Sequence, residues 1–97
     1  MSKLLKYAAD RSSRDPEFKA AFEAEMVVMD LVRARKAQGL SQTDMAERLH
    51  VSQPYLAQIE GMTKKLNAEL LFRYAAELGL SLKVVGLDPA LTQPKQG

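Results

Sequence analysis

A chain of 97 residues, 46% hydrophobic and 27% charged, fits one soluble domain with a modest core. Cysteine is absent, which excludes a disulfide framework and a thiolate metal site. No apolar run escapes charges for a membrane's width, and the start "MSKLLKYAADRSSRD" lacks the apolar stretch of a signal peptide, so a cytoplasmic protein is expected.

Net charge is +2, which argues weakly about nucleic acid until its distribution is seen. Residues 1–14 are basic, with Lys3, Lys6, Arg11 and Arg14 against Asp10. A helix is predicted next, over "DPEFKAAFEAEMVVMDLVRARKAQG". Asp15 suits the N-cap, Pro16 the first helical position and Glu17 the positive end of the dipole. Phe18, Phe22, Met26, Met29 and Val32 recur at helical spacing, an apolar stripe that reads first as core. Gly39 fits the residue after the helix end. So long a span in a small domain leaves room for a break near Glu23–Glu25.

The dipeptide Ser-Gln occurs at Ser41-Gln42 and again at Ser52-Gln53. Each serine marks a helix N-terminus. Ser41 has Asp44 in the capping-box position, and Ser52 must bond the amide of Tyr55, because Pro54 has no N–H. Met45, Ala46 and Leu49 face inward from the first of these helices, Leu56 and Ile59 from the second, and Gly61 ends the pair. Two short helices joined by His50-Val51 form a helix-turn-helix, and Ala46 is small enough to let them approach.

A further helix is predicted from Asn67 to Gly79, burying Leu70, Leu71, Tyr74, Ala75 and Leu78. "LSLKVVGLDP" then alternates Leu80, Leu82 and Val84 against Ser81, Lys83 and Val85, a strand signature. One strand has no ladder of its own, so pairing with a second copy about a two-fold axis is expected. The alternative is an extended segment packed on the helices. The resulting organisation is a basic segment over 1–14, a helix-turn-helix domain over 15–79, a dimerisation strand over 80–88 and a tail over 89–97.

The run "RARKAQGLSQTDMAERLHVSQPYLAQIEG" resembles the helix-turn-helix of phage repressors and Cro proteins, through Gly39-Leu40-Ser41-Gln42, Ala46, Val51-Ser52, Ile59 and Glu60-Gly61. The flanks "DPEFKAAFEAE" and "YAAELGLSLKVVGLDP" resemble HigA-type antitoxins. The first resemblance implies an all-α, compact four- to five-helix repressor-like domain, followed by the C-terminal β-strand. The second implies an antitoxin that neutralises a small RelE/HigB-like ribonuclease toxin and, as a homodimer on double-stranded operator DNA, represses its own operon. Many relatives have glycine in the inter-helix turn, where φ is often positive; here His50 stands there, a side chain that tolerates that region at some cost.

In this docking mode the start of the third helix meets base edges. That puts Ser52, Gln53, Pro54, Tyr55 and Gln58 at the DNA; glutamine bonds adenine bidentately, and Pro54 can touch a thymine methyl. By resemblance Gln42 grips phosphate, Thr63 and Lys64, with Lys65, contact the backbone, and Arg35 and Glu60 form a structural pair that positions the reading helix. Leu80, Leu82 and Val84 are the dimer candidates. Leu4, Tyr7, Phe18 and Phe22 are toxin-contact candidates, since a small repressor fold needs little helix before Leu31.

Catalysis finds no foothold. His50 is the only histidine, Glu47 and Glu60 have no nucleophile or base partner, and phosphate loops and metal spacings are absent. No enzyme, metal or cofactor is expected, and no membrane. Two other readings stay open: a plain repressor-like regulator without a toxin, and a protein-binding module that has lost DNA.

Overall fold

The computed structural model describes residues 15–83. Four helices follow in order: α1 (Pro16–Ala37), α2 (Gln42–Leu49), α3 (Gln53–Glu60) and α4 (Ala68–Glu77). No strand occurs among the described residues, so this part of the chain is all-α.

Every helix begins on a side-chain cap that satisfies amides with no intrahelical partner. Asp15 accepts from the amides of Glu17 and Phe18, Ser52 from Tyr55 at 3.2 Å and Asn67 from Leu70 at 2.8 Å. Ser41 and Asp44 form the reciprocal capping box, each accepting the other's amide at 3.0 Å.

All four helices also end alike. An amide reaches back five residues, closing Leu40 on Arg35, Val51 on Ala46, Thr63 on Gln58 and Leu80 on Ala75 at 2.9–3.1 Å. Such a closure needs one left-handed residue. Gly39 and Gly79 supply it at φ +76° and +74°, but His50 and Met62 supply it at φ 58° and 64°. Gly61 was expected to end α3, and it is the C-cap, yet its φ is −86°. The left-handed turn falls one residue later, on Met62.

Leu31, Met45, Ala46, Leu49, Leu56, Ile59, Leu70, Tyr74, Ala75 and Leu78 form one buried cluster. Ala46, 2% exposed, lies where α2 meets its neighbours, and a larger side chain would push the helices apart. Polar side chains tie helix ends together. Arg73 donates to the Leu49 carbonyl at 2.6 Å and Gln38 to the Leu78 carbonyl at 2.9 Å.

Two expectations are corrected in α1. It runs unbroken through Glu23–Glu25; nothing there removes a backbone donor or favours a left-handed turn. The stripe Phe18, Phe22, Met26, Met29, Val32 is not its core face either. None of these is buried, and Met29 is 41% exposed. The core takes Leu31 and buried Arg35, with Val27 and Ala34 packed alongside. At about 100° per residue these lie on nearly the opposite side of the helix from the phenylalanines. Phe18 and Phe22 instead stack on each other, ring centroids 6.3 Å apart.

The predicted strand fares differently along its length. Residues 80–83 are not strand; Leu80 is 42% exposed and Leu82 packs on the helical core. Val84 and the rest of the strand lie outside the described residues, as do Leu4 and Tyr7.

Candidate nucleic-acid interface

α3 stands on α2 and α1 through Leu56 and Ile59, 0% and 1% exposed. Its opposite face is polar. Gln53, Pro54 and Gln58 are exposed, and Tyr55 is half-buried. Ser52, also exposed, spends its hydroxyl on the helix cap.

Beneath this face lies a connected set of hydrogen bonds. Arg35 holds the Glu60 carboxylate with two donors, Nε to Oε2 at 2.9 Å and Nη2 to Oε1 at 2.8 Å, and its third nitrogen bonds the Leu40 carbonyl at 2.7 Å. The Tyr74 hydroxyl donates to Oε2. Gln42 donates Nε2 to Oε1 at 3.0 Å, and Gln53 donates its own Nε2 to the Gln42 Oε1 at 2.7 Å. The set therefore runs from α1 and α4, through the end of α3, across the start of α2 and out to the exposed start of α3.

Both ionic side chains of the pair are 5% exposed. Burial works against charge on Glu60, but the hydrogen bonds from Arg35, Tyr74 and Gln42 outweigh it and hold the carboxyl below its ordinary value. Burial likewise opposes charge on Arg35, and its bonds to Glu60 and Tyr74 leave its pKa raised. The Tyr74 hydroxyl is pushed up by burial and by donating to the carboxylate. Described buried side-chain nitrogens and oxygens all have partners. The only carboxylate on α3 is thus buried and neutralised, so the exposed side of this helix offers an anion no negative charge.

Around the C-terminal end of α3, the Thr63 amide and hydroxyl both donate to the Gln58 carbonyl, at 2.9 and 3.2 Å. Lys64 Nζ lies 5.5 Å from the centroid of the Tyr55 ring, a cation–π distance. Lys65 is exposed beside it. Gln42, expected to grip phosphate, has one amide hydrogen engaged by Glu60 and its oxygen by Gln53; one hydrogen remains to it.

Tyr74 is the residue that sequence reasoning missed as part of this site. It reads as one more member of the α4 apolar stripe, and its ring is indeed 1% exposed. The available signal was chemical: a buried tyrosine hydroxyl requires a partner.

A second feature lies away from α3. The inward side of the N-terminal half of α1 overhangs the 61–66 loop, enclosing a groove of about 550 Å³ lined by Ala20, Ala24, Val28, Met62, Leu66 and Leu71 among others. Together with the stacked phenylalanines, it leaves this half of α1 apolar on two sides. No three described His, Cys, Asp or Glu residues could hold a metal ion. No described helix is long and apolar enough to cross a membrane.

Two capped eight-residue helices, joined by a left-handed turn and presenting a polar outer face, define a helix-turn-helix domain. The chain belongs to the helix-turn-helix family, whose model matches residues 31–85, more than half of its length. It is similar to Antitoxin HigA1 of Mycobacterium tuberculosis, in strains CDC 1551 / Oshkosh and ATCC 25618 / H37Rv. Each is 34% identical over 94 residues, covering 93% of this chain and 63% of the relative. The chain thus spans less than two thirds of the length of these relatives. No solved structure matches it.

Proposed function

We propose that this chain is the antitoxin of a toxin–antitoxin pair and represses its own operon. A homodimer would place two α3 helices about 34–36 Å apart on a palindromic operator. Gln53 and Gln58 read base edges, with Pro54 and Tyr55 beside them. Lys64, held over Tyr55, faces phosphate with Lys65 and Thr63, and the free amide hydrogen of Gln42 joins them. Ser52 contributes as the cap that orders this first turn.

The observation that carries the DNA reading is the exposed polar face of α3 from which the one carboxylate has been withdrawn into an ion pair. The likeness to a protein named an antitoxin, together with the apolar N-terminal half of α1, supports a second, protein-binding surface. That surface spans residues 1–30 and includes Leu4, Tyr7, Phe18 and Phe22. Its partner is a small ribonuclease toxin. Leu80, Leu82 and Val84 are proposed for the dimer contact, with Leu80 the exposed member among the described residues.

Titration of promoter DNA tests the first surface. Affinity should fall steeply with salt, because phosphate contacts release counterions, and Gln53→Ala or Gln58→Ala should each cost about 1–3 kcal/mol. Salt-independent binding would refute DNA docking. Co-expression tests the second: an antitoxin co-purifies with the product of the neighbouring reading frame and restores growth against it. Promoter binding without such a partner would mark a plain regulator.

A further inference from the structure

The groove under the N-terminal half of α1 lies close to where residues 1–14 join the described chain. Ala20, Ala24 and Val28 form its α1 wall, with Met62 and Leu66 across from them, and both alanines are exposed. A wall of such short side chains lets a second helix come close. It fills little of the space itself, so an occupant must bring larger apolar groups to reach the density of a protein interior.

Residues 1–14 carry such groups in a fitting order. At about 100° per residue, Met1, Leu4, Leu5, Ala8 and Ala9 share one side, and Lys3, Lys6, Asp10 and Arg11 share the other with Tyr7. Ser12, Ser13 and Arg14 then separate this pattern from the Asp15 cap, a composition suited to a short turn between two helices. A chain that reverses there runs antiparallel to α1, with Ala8 beside Ala20, Leu4 beside Ala24 and Met1 near Val28. As helix, residues 1–9 and 20–28 each rise about 12 Å, so segment and groove agree in length. Charge agrees as well: Lys3, Lys6, Arg11 and Arg14 outnumber Asp10 in the segment, while α1 exposes Glu17, Glu23 and Glu25 against Lys19 over the same turns. Residues 84–97 are less well placed. They follow closely on Leu78, whose carbonyl is bonded by Gln38 at the other end of α1, about 27 Å of helix from Ala20.

We propose that residues 1–11 fold back as a helix on their own α1 and close this groove, with Leu4 and Leu5 turned into the space between the alanines and Leu66. Because Met62, Lys64 and Lys65 also line it, the docked segment braces the loop that follows α3. The inference goes beyond the DNA and toxin readings and needs neither. A toxin that takes Leu4 would have to lift the segment from the groove, whereas Tyr7 faces outward on the docked segment.

The test is disulfide closure in the full chain, where introduced pairs carry the only thiols. Leu4→Cys with Ala24→Cys and Ala8→Cys with Ala20→Cys probe the docked register, and Lys6→Cys with Ala24→Cys is the control on the outer side. A disulfide needs Cα atoms within about 7 Å and facing side chains, whereas a loose tether would present all three pairs at similar effective concentration. Docking predicts that the first two pairs close at least about tenfold faster than the control under mild oxidation and run as monomers on a non-reducing denaturing gel. Adding Leu5→Asp to the Ala8→Cys, Ala20→Cys pair should slow closure to the control rate, because a carboxylate is not buried alone. One rate for all three pairs, or no closure in any, overturns the proposal, and so does closure unaffected by Leu5→Asp. Covalent dimers would give the groove to a second copy, and faster closure of Leu87→Cys with Ala24→Cys would give it to residues 84–97; either result overturns docking of the chain's own first residues.

Discussion

Arg35 of α1 and Glu60 at the last position of α3 meet in a two-pronged ion pair, 2.8 and 2.9 Å, with both side chains 5% exposed. The pair locks the end of the proposed reading helix to the helix before the motif. Removing one partner leaves a buried charge alone, which costs about 3–5 kcal/mol. Arg35→Ala and Glu60→Ala should each destabilise on that scale in chemical denaturation. Arg35→Met with Glu60→Leu, in a Tyr74→Phe background, should cost clearly less than the sum of the single changes. Additive losses would mean that the pair contributes no coupling.

The same cluster sets the pH limits of stability. The folded-state pKa of Glu60 is lowered from 4.5, so its contribution is complete above that value and is lost as pH falls through the folded value. Tyr74 is raised from 10.0, so its contribution is complete below pH 10.0 and is lost as pH rises through the folded value. Thermal melts of Glu60→Gln should lose part of the wild type's acid-side slope. Melts of Tyr74→Phe should lose its alkaline-side fall. Asp44 is also lowered, by its bonds to Ser41, so Asp44→Asn is the control on the acid side. A wild type and a Tyr74→Phe variant with parallel alkaline melting curves would contradict the buried hydroxyl–carboxylate bond.

Two of the four left-handed helix ends use side chains where glycine is easier. An L-residue there costs roughly 1–2 kcal/mol, and glycine gives back about 0.5–1 kcal/mol through its freer unfolded chain. His50→Gly and Met62→Gly should therefore each stabilise by up to about 1.5 kcal/mol. Met62 should gain more, because histidine tolerates this region better than unbranched residues do. Equilibrium unfolding of both variants checks the order; destabilisation by either would show that its side chain contributes more than its backbone costs.

Much of this fold is legible because it is written locally. Asp15, Ser41, Ser52 and Asn67 each cap the helix they precede, since a cap depends only on a short polar side chain and the two or three amides that follow. What depends on a second element is not legible in that way. α1 is apolar on two opposite sides, alanine and valine on one and phenylalanine and methionine on the other, and periodicity alone cannot tell which is covered. The larger side chains suggest the wrong one. Leu80 and Leu82 alternate as a strand would, yet an extended segment laid on helices alternates too, and Leu82 is the one that packs inward. Within the candidate site, the polar face of α3 follows from helical spacing. The link from Tyr74 to Glu60 spans 14 positions and two helices, and only the packing of α4 brings them together.

The misassigned face of α1 supplies the last prediction. Phe18 and Phe22 stack on each other on the side turned away from the described core, so truncating them leaves that core's packing intact. Phe18→Ala and Phe22→Ala should lower stability by less than about 1 kcal/mol each, well short of the 3–5 kcal/mol that a core phenylalanine costs. Operator affinity should be unchanged, because α3 and its supporting hydrogen bonds begin at Arg35. If the N-terminal half of α1 holds the toxin, buried aromatic anchors carry a large share of such an interface, and each change should weaken the toxin complex by about tenfold or more. Loss of several kcal/mol of stability with toxin binding retained would place the phenylalanines in a core and return the toxin surface to some other part of the chain.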